Sequence, residues 1–167
     1  TLSSSSAASD VYKRQVLSGV ASTARSLAPF SEVAALGELP RLVAQADYVV
    51  NLLPNTPATR DIYDAALLAR FQPSAVLINA GRGTAVVDED LVAALASGQL
   101  AAAVIDVCRE EPLPAGHPFW AARNLTLTGH SAAPTLPHLL VELFLANLQC
   151  YRAGAELQGL VDFARGY

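Results

Sequence analysis

The sequence predicts an α/β fold built on an open, doubly wound parallel sheet, and three features of its layout carry that prediction. Short apolar runs of strand length recur at 48–53, 76–79, 101–107 and 124–128. Segments with leucine and alanine at helical spacing lie between them. Each run ends in a glycine- or proline-marked turn. Strands alternating with helices at this spacing call for a parallel sheet with right-handed crossovers. The run at 76–79, with Pro73 and Ser74 before it and two glycines after it, fits a parallel strand covered on both faces better than a helix.

Taken in order, residues 1–15 (TLSSSSAASDVYKRQ) are serine-rich and show no periodicity that continues beyond Gln15. They read as a non-native or disordered tail and stand outside the fold argument. Residues 16–20 begin abruptly as a strand, followed by a polar loop at 22–26 of the kind found at a strand's end. A preceding unit is expected to be missing, so the chain reads as a C-terminal fragment. Leu39, Leu42, Val43 and Ala46 mark a short helix over 38–46, where Pro40 is tolerable in a first turn. The strand at 48–53 is stopped by Pro54-Asn55-Thr56-Pro57. A helix comes next over 64–71, then the strand 76–79, which runs into Ala80-Gly81-Arg82-Gly83.

Asp88, Glu89 and Asp90 place acidic groups at the positive end of the next helix, which Gly98 closes. The strand 101–107 leads into the proline-bounded loop 108–114, and the last strand, 124–128, ends at Gly129-His130. Residues 136–152 form a long helix whose broad apolar face reads as covering the core. The tail from 155 onward is extended.

Composition narrows the function. The chain has 167 residues, 52% hydrophobic and 16% charged, which is a globular composition. A net charge of -4 argues against nucleic acid as partner, because no basic stripe exists to neutralise phosphates. No apolar run reaches the roughly 18 residues of a membrane span, and no signal-peptide pattern is visible, so the expected location is cytoplasmic. Cys108 and Cys150 lack CxxC spacing and histidine neighbours at ligand distance, so no metal site and no disulfide is expected.

Three side chains come just after the ends of three consecutive strands: Arg82, Glu111 and His130. Neighbouring strands lie about 4.8 Å apart, so loops leaving adjacent ends can gather these groups within roughly 10 Å on the ligand side of the sheet. Seen singly, Arg82 and Glu111 read as solvated charges and His130 as a core histidine. Together, a guanidinium can clamp a carboxylic acid, and an imidazole held by a carboxylate suits general-acid work on a carbonyl oxygen. His117 and His138 have no partner at useful spacing.

At these residues the sequence resembles the D-isomer-specific 2-hydroxyacid dehydrogenases, through LLPNTPATR (52–60), INAGRG (78–83), IDVCREEPLP (105–114) and LTGHSAA (127–133). With the VDFARGY ending, it is most similar to the glyoxylate/hydroxypyruvate reductase A branch. The resemblance implies a Rossmann-type sheet lacking its first strand and its GxGxxG loop. It implies a partial NAD(P)-binding domain over 16–134, and a C-terminal helix and tail over 135–167 that would return to a missing substrate domain. It further implies reduction of a small 2-oxo acid by a catalytic Arg82, Glu111 and His130, and a homodimer in the full-length protein.

By position, Asp106 should face the nicotinamide carboxamide, and Leu53, Pro54, Thr59, Ala80 and Gly81 should line the cofactor. Arg25 falls in the loop that holds the adenosine ribose, which favours NADP, with NAD as the alternative. Thr23 stands where an NADP-preferring relative more often has arginine. Gly129 replaces the usual proline before the histidine, and Cys108 replaces an aromatic residue. A non-catalytic, corepressor-like scaffold on the same fold is the rival reading. The fragment alone is expected to be inactive and prone to self-association, because loss of a central strand would leave two unpaired sheet edges.

Overall fold

The computed structural model describes residues 15–133 and 135–163; apart from Gln15, the tail at 1–15 lies outside them, as does the end of the VDFARGY motif. The strands are β1 (Ser18–Ala21), β2 (Glu32–Ala35), β3 (Tyr48–Asn51), β4 (Val76–Asn79), β5 (Ala102–Ile105) and β6 (Leu125–Leu127). The helices are α1 (Leu39–Val43), α2 (Ala65–Leu68), α3 (Asp88–Ser97) and α4 (Pro137–Ala153). The fold is α/β with parallel pairing throughout its named strands.

The strands form two sheets. One is the pair β1-β2; the other has the order β3-β4-β5-β6. Among the described residues β1 and β3 each keep one unpaired edge. Strand β2 has no signature in the sequence: Glu32-Val33-Ala34-Ala35 is too short for a visible period, and its pairing with β1 is what makes it a strand. In the larger sheet the register sets Asn51 opposite Asn79, and Asn79 opposite Ile105. Ile105 in turn lies opposite Leu127, so four strand ends are level.

One face of this sheet carries Leu77, Ala103 and Ile105, packed with Leu67 and Leu68 of α2, Leu91 and Leu95 of α3, and Phe119. Burying each of the larger side chains contributes about 1.5–3 kcal/mol. The opposite face departs from the expectation of two-sided cover: Tyr48 and Val50 are exposed, and Val76, Ile78, Ala102 and Val104 are half-buried. Apolar sequence reports what a strand can bury, and this face stays partly open.

The long helix needs the same correction. Expected as core cover, α4 buries none of its residues; Leu139, Leu140, Leu143 and Phe144 are all exposed. Its end is nonetheless defined, because Gly154 takes the left-handed cap (φ 65°) and Asn147 exchanges two hydrogen bonds with the backbone of Gln158. The helix expected over 64–71 shrinks to the single turn α2, capped by the Asp64 carboxylate on the Leu67 amide (2.8 Å). Helix α3 ends at Gly98, φ 76°, and its Asp90 accepts from the Ala65 amide, tying α2 to α3.

Candidate active site

The site grows from two asparagines that end β3 and β4. Asn51 and Asn79 are buried, and the Asn51 amide donates to Asn79 Oδ1 at 2.8 Å. Asn51 Oδ1 accepts from the Leu53 amide, Asn79 Oδ1 from the Gly81 amide, and Asn79 Nδ2 donates to the Arg82 carbonyl. Leaving such amides unpaired in a core would be costly, so the pair fixes the paths of both loops. Neither asparagine is among the residues singled out from sequence, although a polar residue closing two otherwise apolar runs, YVVN and VLIN, is the visible signal.

Two glycines let these loops approach their neighbours. A Cβ on Gly81 would stand 3.0 Å from the Leu53 carbonyl oxygen. One on Gly83 would stand 2.0 Å from the carbonyl carbon of Cys108 and 2.3 Å from the Arg109 amide nitrogen. Gly83 therefore seats the Arg82 loop directly on the backbone that leads to Glu111. Arg82 itself is exposed; it donates to the Gly81 carbonyl and forms no ion pair among the described residues.

Glu111 and His130 meet. His130 Nδ1 lies 2.9 Å from Glu111 Oε2, while Glu111 Oε1 accepts from the Cys108 amide at 2.8 Å. These two bonds, the imidazole's first, hold the Glu111 carboxyl below the usual carboxylate range. An ionised Glu111 accepts from Nδ1–H, and His130 Nε2 has no hydrogen bond among the described residues. The pair is exposed, so by itself it adds little to stability.

Asp106 ends β5 and is buried, with both carboxylate oxygens committed to the His130 loop. Oδ1 accepts from the Thr128 hydroxyl and the Ser131 amide, Oδ2 from the Ala132 amide, and the Asp106 carbonyl accepts from the His130 amide. The Thr128 hydroxyl and then the two amides lower its carboxyl below the ordinary range. This clamp surrounds a residue in an uncommon conformation, since His130 sits at φ 54°. Burial pushes the Cys108 thiol up, helped by Glu111, Asp88 and Asp106, so it stays protonated beside the site.

Four of the seven residues assigned to a cofactor come together. Arg25, Leu53, Pro54 and Thr59 line a cavity of about 360 Å³ between the two sheets, with Val20, Ala21, Ser22 and Leu36. Gly81 adjoins it through the Leu53 carbonyl and the Ala80 amide donates to the Asn51 carbonyl, while Asp106 stands further along the strand ends. The Thr59 hydroxyl is used internally, donating to the Pro54 carbonyl and accepting from the Thr56 amide. Apolar walls with a guanidinium suit a nucleoside bearing phosphate, and the volume is that of a small-molecule pocket. His117, expected from sequence to be unpartnered, has a partner: its Nε2 lies 3.3 Å from Asp88 Oδ2. Only folding brings residues so distant in sequence together.

Comparison with known proteins bears on the family and the fold. Residues 9–132 match the family described as D-isomer specific 2-hydroxyacid dehydrogenase, NAD binding domain. A glyoxylate/hydroxypyruvate reductase A from Yersinia enterocolitica is 44% identical over 130 residues, covering 78% of this chain and 42% of the relative. A D-isomer specific 2-hydroxyacid dehydrogenase family protein from Aeromonas salmonicida superposes with a TM-score of 0.82 at 38% identity, covering 87% of this chain and 47% of the other. An NADPH-dependent glyoxylate/hydroxypyruvate reductase from Sinorhizobium meliloti, solved with NADP and sulfate, superposes at 0.78 with 33% identity, over 90% and 49% of the two chains. The chain thus spans less than half the length of these relatives. Its sheet order, its strand-end loops and these matches place it in the D-isomer specific 2-hydroxyacid dehydrogenase family, of which it carries NAD-binding-domain sequence.

Proposed function

We propose that the complete protein reduces a small 2-oxo acid, glyoxylate or hydroxypyruvate, to the D-2-hydroxy acid with NADPH. The observation that carries this reading is the 2.9 Å contact of His130 Nδ1 with Glu111 Oε2, on strand ends next to the one that bears Arg82. When bound, the nicotinamide supplies a hydride. Arg82, exposed and without an ion pair among the described residues, offers its paired donors to the substrate carboxylate. Glu111 orients the imidazole through Nδ1, which leaves Nε2–H of protonated His130 to donate to the carbonyl oxygen as it gains charge. Arg25, on the cavity wall, offers a cation to a 2'-phosphate, which supports NADPH over NADH.

The chain alone, with less than half the length of its relatives and its strands split between two sheets, is proposed to be inactive. Initial rates with NADPH and glyoxylate test both statements. The full-length protein should turn over, its Arg82→Ala variant should lose at least about a hundredfold in kcat/KM, and the isolated chain should show no rate. Retention of most activity by Arg82→Ala would remove the anchor from the reading.

A further inference from the structure

We infer that Asp88 is a positioning residue for the His130–Glu111 pair, because it holds the far end of the loop that presents Glu111 and adds a charge contact beside the near end. The inference rests on the reductase reading for its catalytic consequence, and on geometry alone for the fastening. Loop 108–117 leaves the end of β5. Near its start, Arg109 donates to the Val86 carbonyl, pairs with Asp61, and brings Nε within 4.0 Å of Asp88 Oδ2. At its far end, His117 Nε2 reaches the same oxygen at 3.3 Å. His117 Nδ1 accepts from the Phe119 amide, which assigns the ring proton to Nε2 and makes His117 the donor to Asp88. Its ring also meets buried Phe119 edge-on, at 4.6 Å between centroids.

One carboxylate thus stands near both ends of a loop whose interior holds Glu111, Pro112 and Pro114. The two prolines fix their own φ angles, which limits how the stretch beside Glu111 can adjust. Asp88 is suited to the task. It is buried at the first turn of α3, where the helix favours a negative charge. Burial holds its carboxyl above the usual carboxylate range, against the downward pull of Arg109 and then His117, and Glu89 adds to the rise. Without it, the His117 N–H loses its acceptor, and Arg109, still held by Asp61 and the Val86 carbonyl, loses a nearby opposite charge.

The test compares Asp88→Ala, His117→Ala and His117→Gln, the last of which keeps an N–H donor for Asp88. In the full-length protein, amide exchange of Cys108 and the Glu111 carboxyl titration, both by NMR, report whether Glu111 holds its place. Asp88→Ala should speed Cys108 exchange at least about tenfold and move the Glu111 midpoint up toward that of an unperturbed glutamate. His117→Ala should behave alike, while His117→Gln should stay close to the parent chain. In the full-length protein, Asp88→Ala should lower kcat by about tenfold to a hundredfold with KM for the oxo acid nearly unchanged. A folded Asp88→Ala chain with unaltered Cys108 exchange and Glu111 titration overturns the inference. If that variant does not fold, His117→Ala decides the matter through the same two readings. Absence of reductase activity in the unsubstituted full-length protein would defeat the reductase reading, while exchange and titration still judge the fastening.

Discussion

His130 occupies a backbone conformation that non-glycine residues adopt at a cost, and the residue before it is Gly129. The constraint comes from Asp106, whose carboxylate gathers the Thr128 hydroxyl and the Ser131 and Ala132 amides. Each of those bonds favours the ionised form, so the folded-state value lies below that of an unfolded aspartate, about 3.9. Stability from such a group is fully present above the unfolded value and is lost as pH falls through the folded one. The loop should therefore be indifferent to pH from neutrality to about 4 and loosen only below that. Amide shifts of Ser131 and Ala132, tracked by NMR on acidification, should move with a midpoint under about 3.9, and Asp106→Asn should abolish the transition. A midpoint at or above the unfolded value would show that the clamp does not hold the loop. None of this can be read from IDVCREEPLP and LTGHSAA, which display Asp106 and His130 in separate motifs. The motifs identify which side chains belong to the rim, whereas the bonds that aim them depend on register across β5 and β6.

Among the elements, those with one clear apolar partner are legible in the sequence and those defined by pairing alone are not. Helix α3 is marked by its acidic first turn and Gly98, and the structure keeps both ends. Strand β2 and the asparagine ladder depend on residues far away in sequence, so no local pattern contains them. Helix α4 shows the opposite failure: its pattern is strongly apolar, yet amphipathic sequence states a capacity to bury and not what will be buried against it. The difference has a measurable consequence. Leu91, in α3, is fully enclosed, so Leu91→Ala should cost about 2–5 kcal/mol in urea unfolding of this chain. Phe144, in α4, is 65% exposed, and Phe144→Ala should change stability by less than about 0.5 kcal/mol despite the larger side chain. A comparable loss at both positions would mean that α4 packs on this chain in solution.

For the whole molecule, the division into two sheets governs behaviour. Strand β1 pairs only with β2, and β3 only with β4, so each presents a row of unsatisfied backbone groups among the described residues. The face beside the β3 edge is apolar and open, with Tyr48 64% and Val50 52% exposed. An unpaired edge next to an uncovered apolar face is the arrangement that recruits another strand, from elsewhere in the same protein or from a second copy. In the isolated chain the second copy is what is available, and the expected result is reversible self-association at micromolar concentration, visible as a rising weight-average mass in sedimentation velocity. Val50→Lys places a charge on that open face and should shift the association to at least about tenfold higher concentration. It should do so without loss of helical signal, because Val50 contributes little to the enclosed core. Helix α4 supplies the control, since association through its apolar face would respond to Phe144→Glu and ignore the change on β3. A chain that stays monomeric to hundreds of micromolar would show that the open edges are satisfied within the single molecule, and the two-sheet account of its self-association would have to be abandoned.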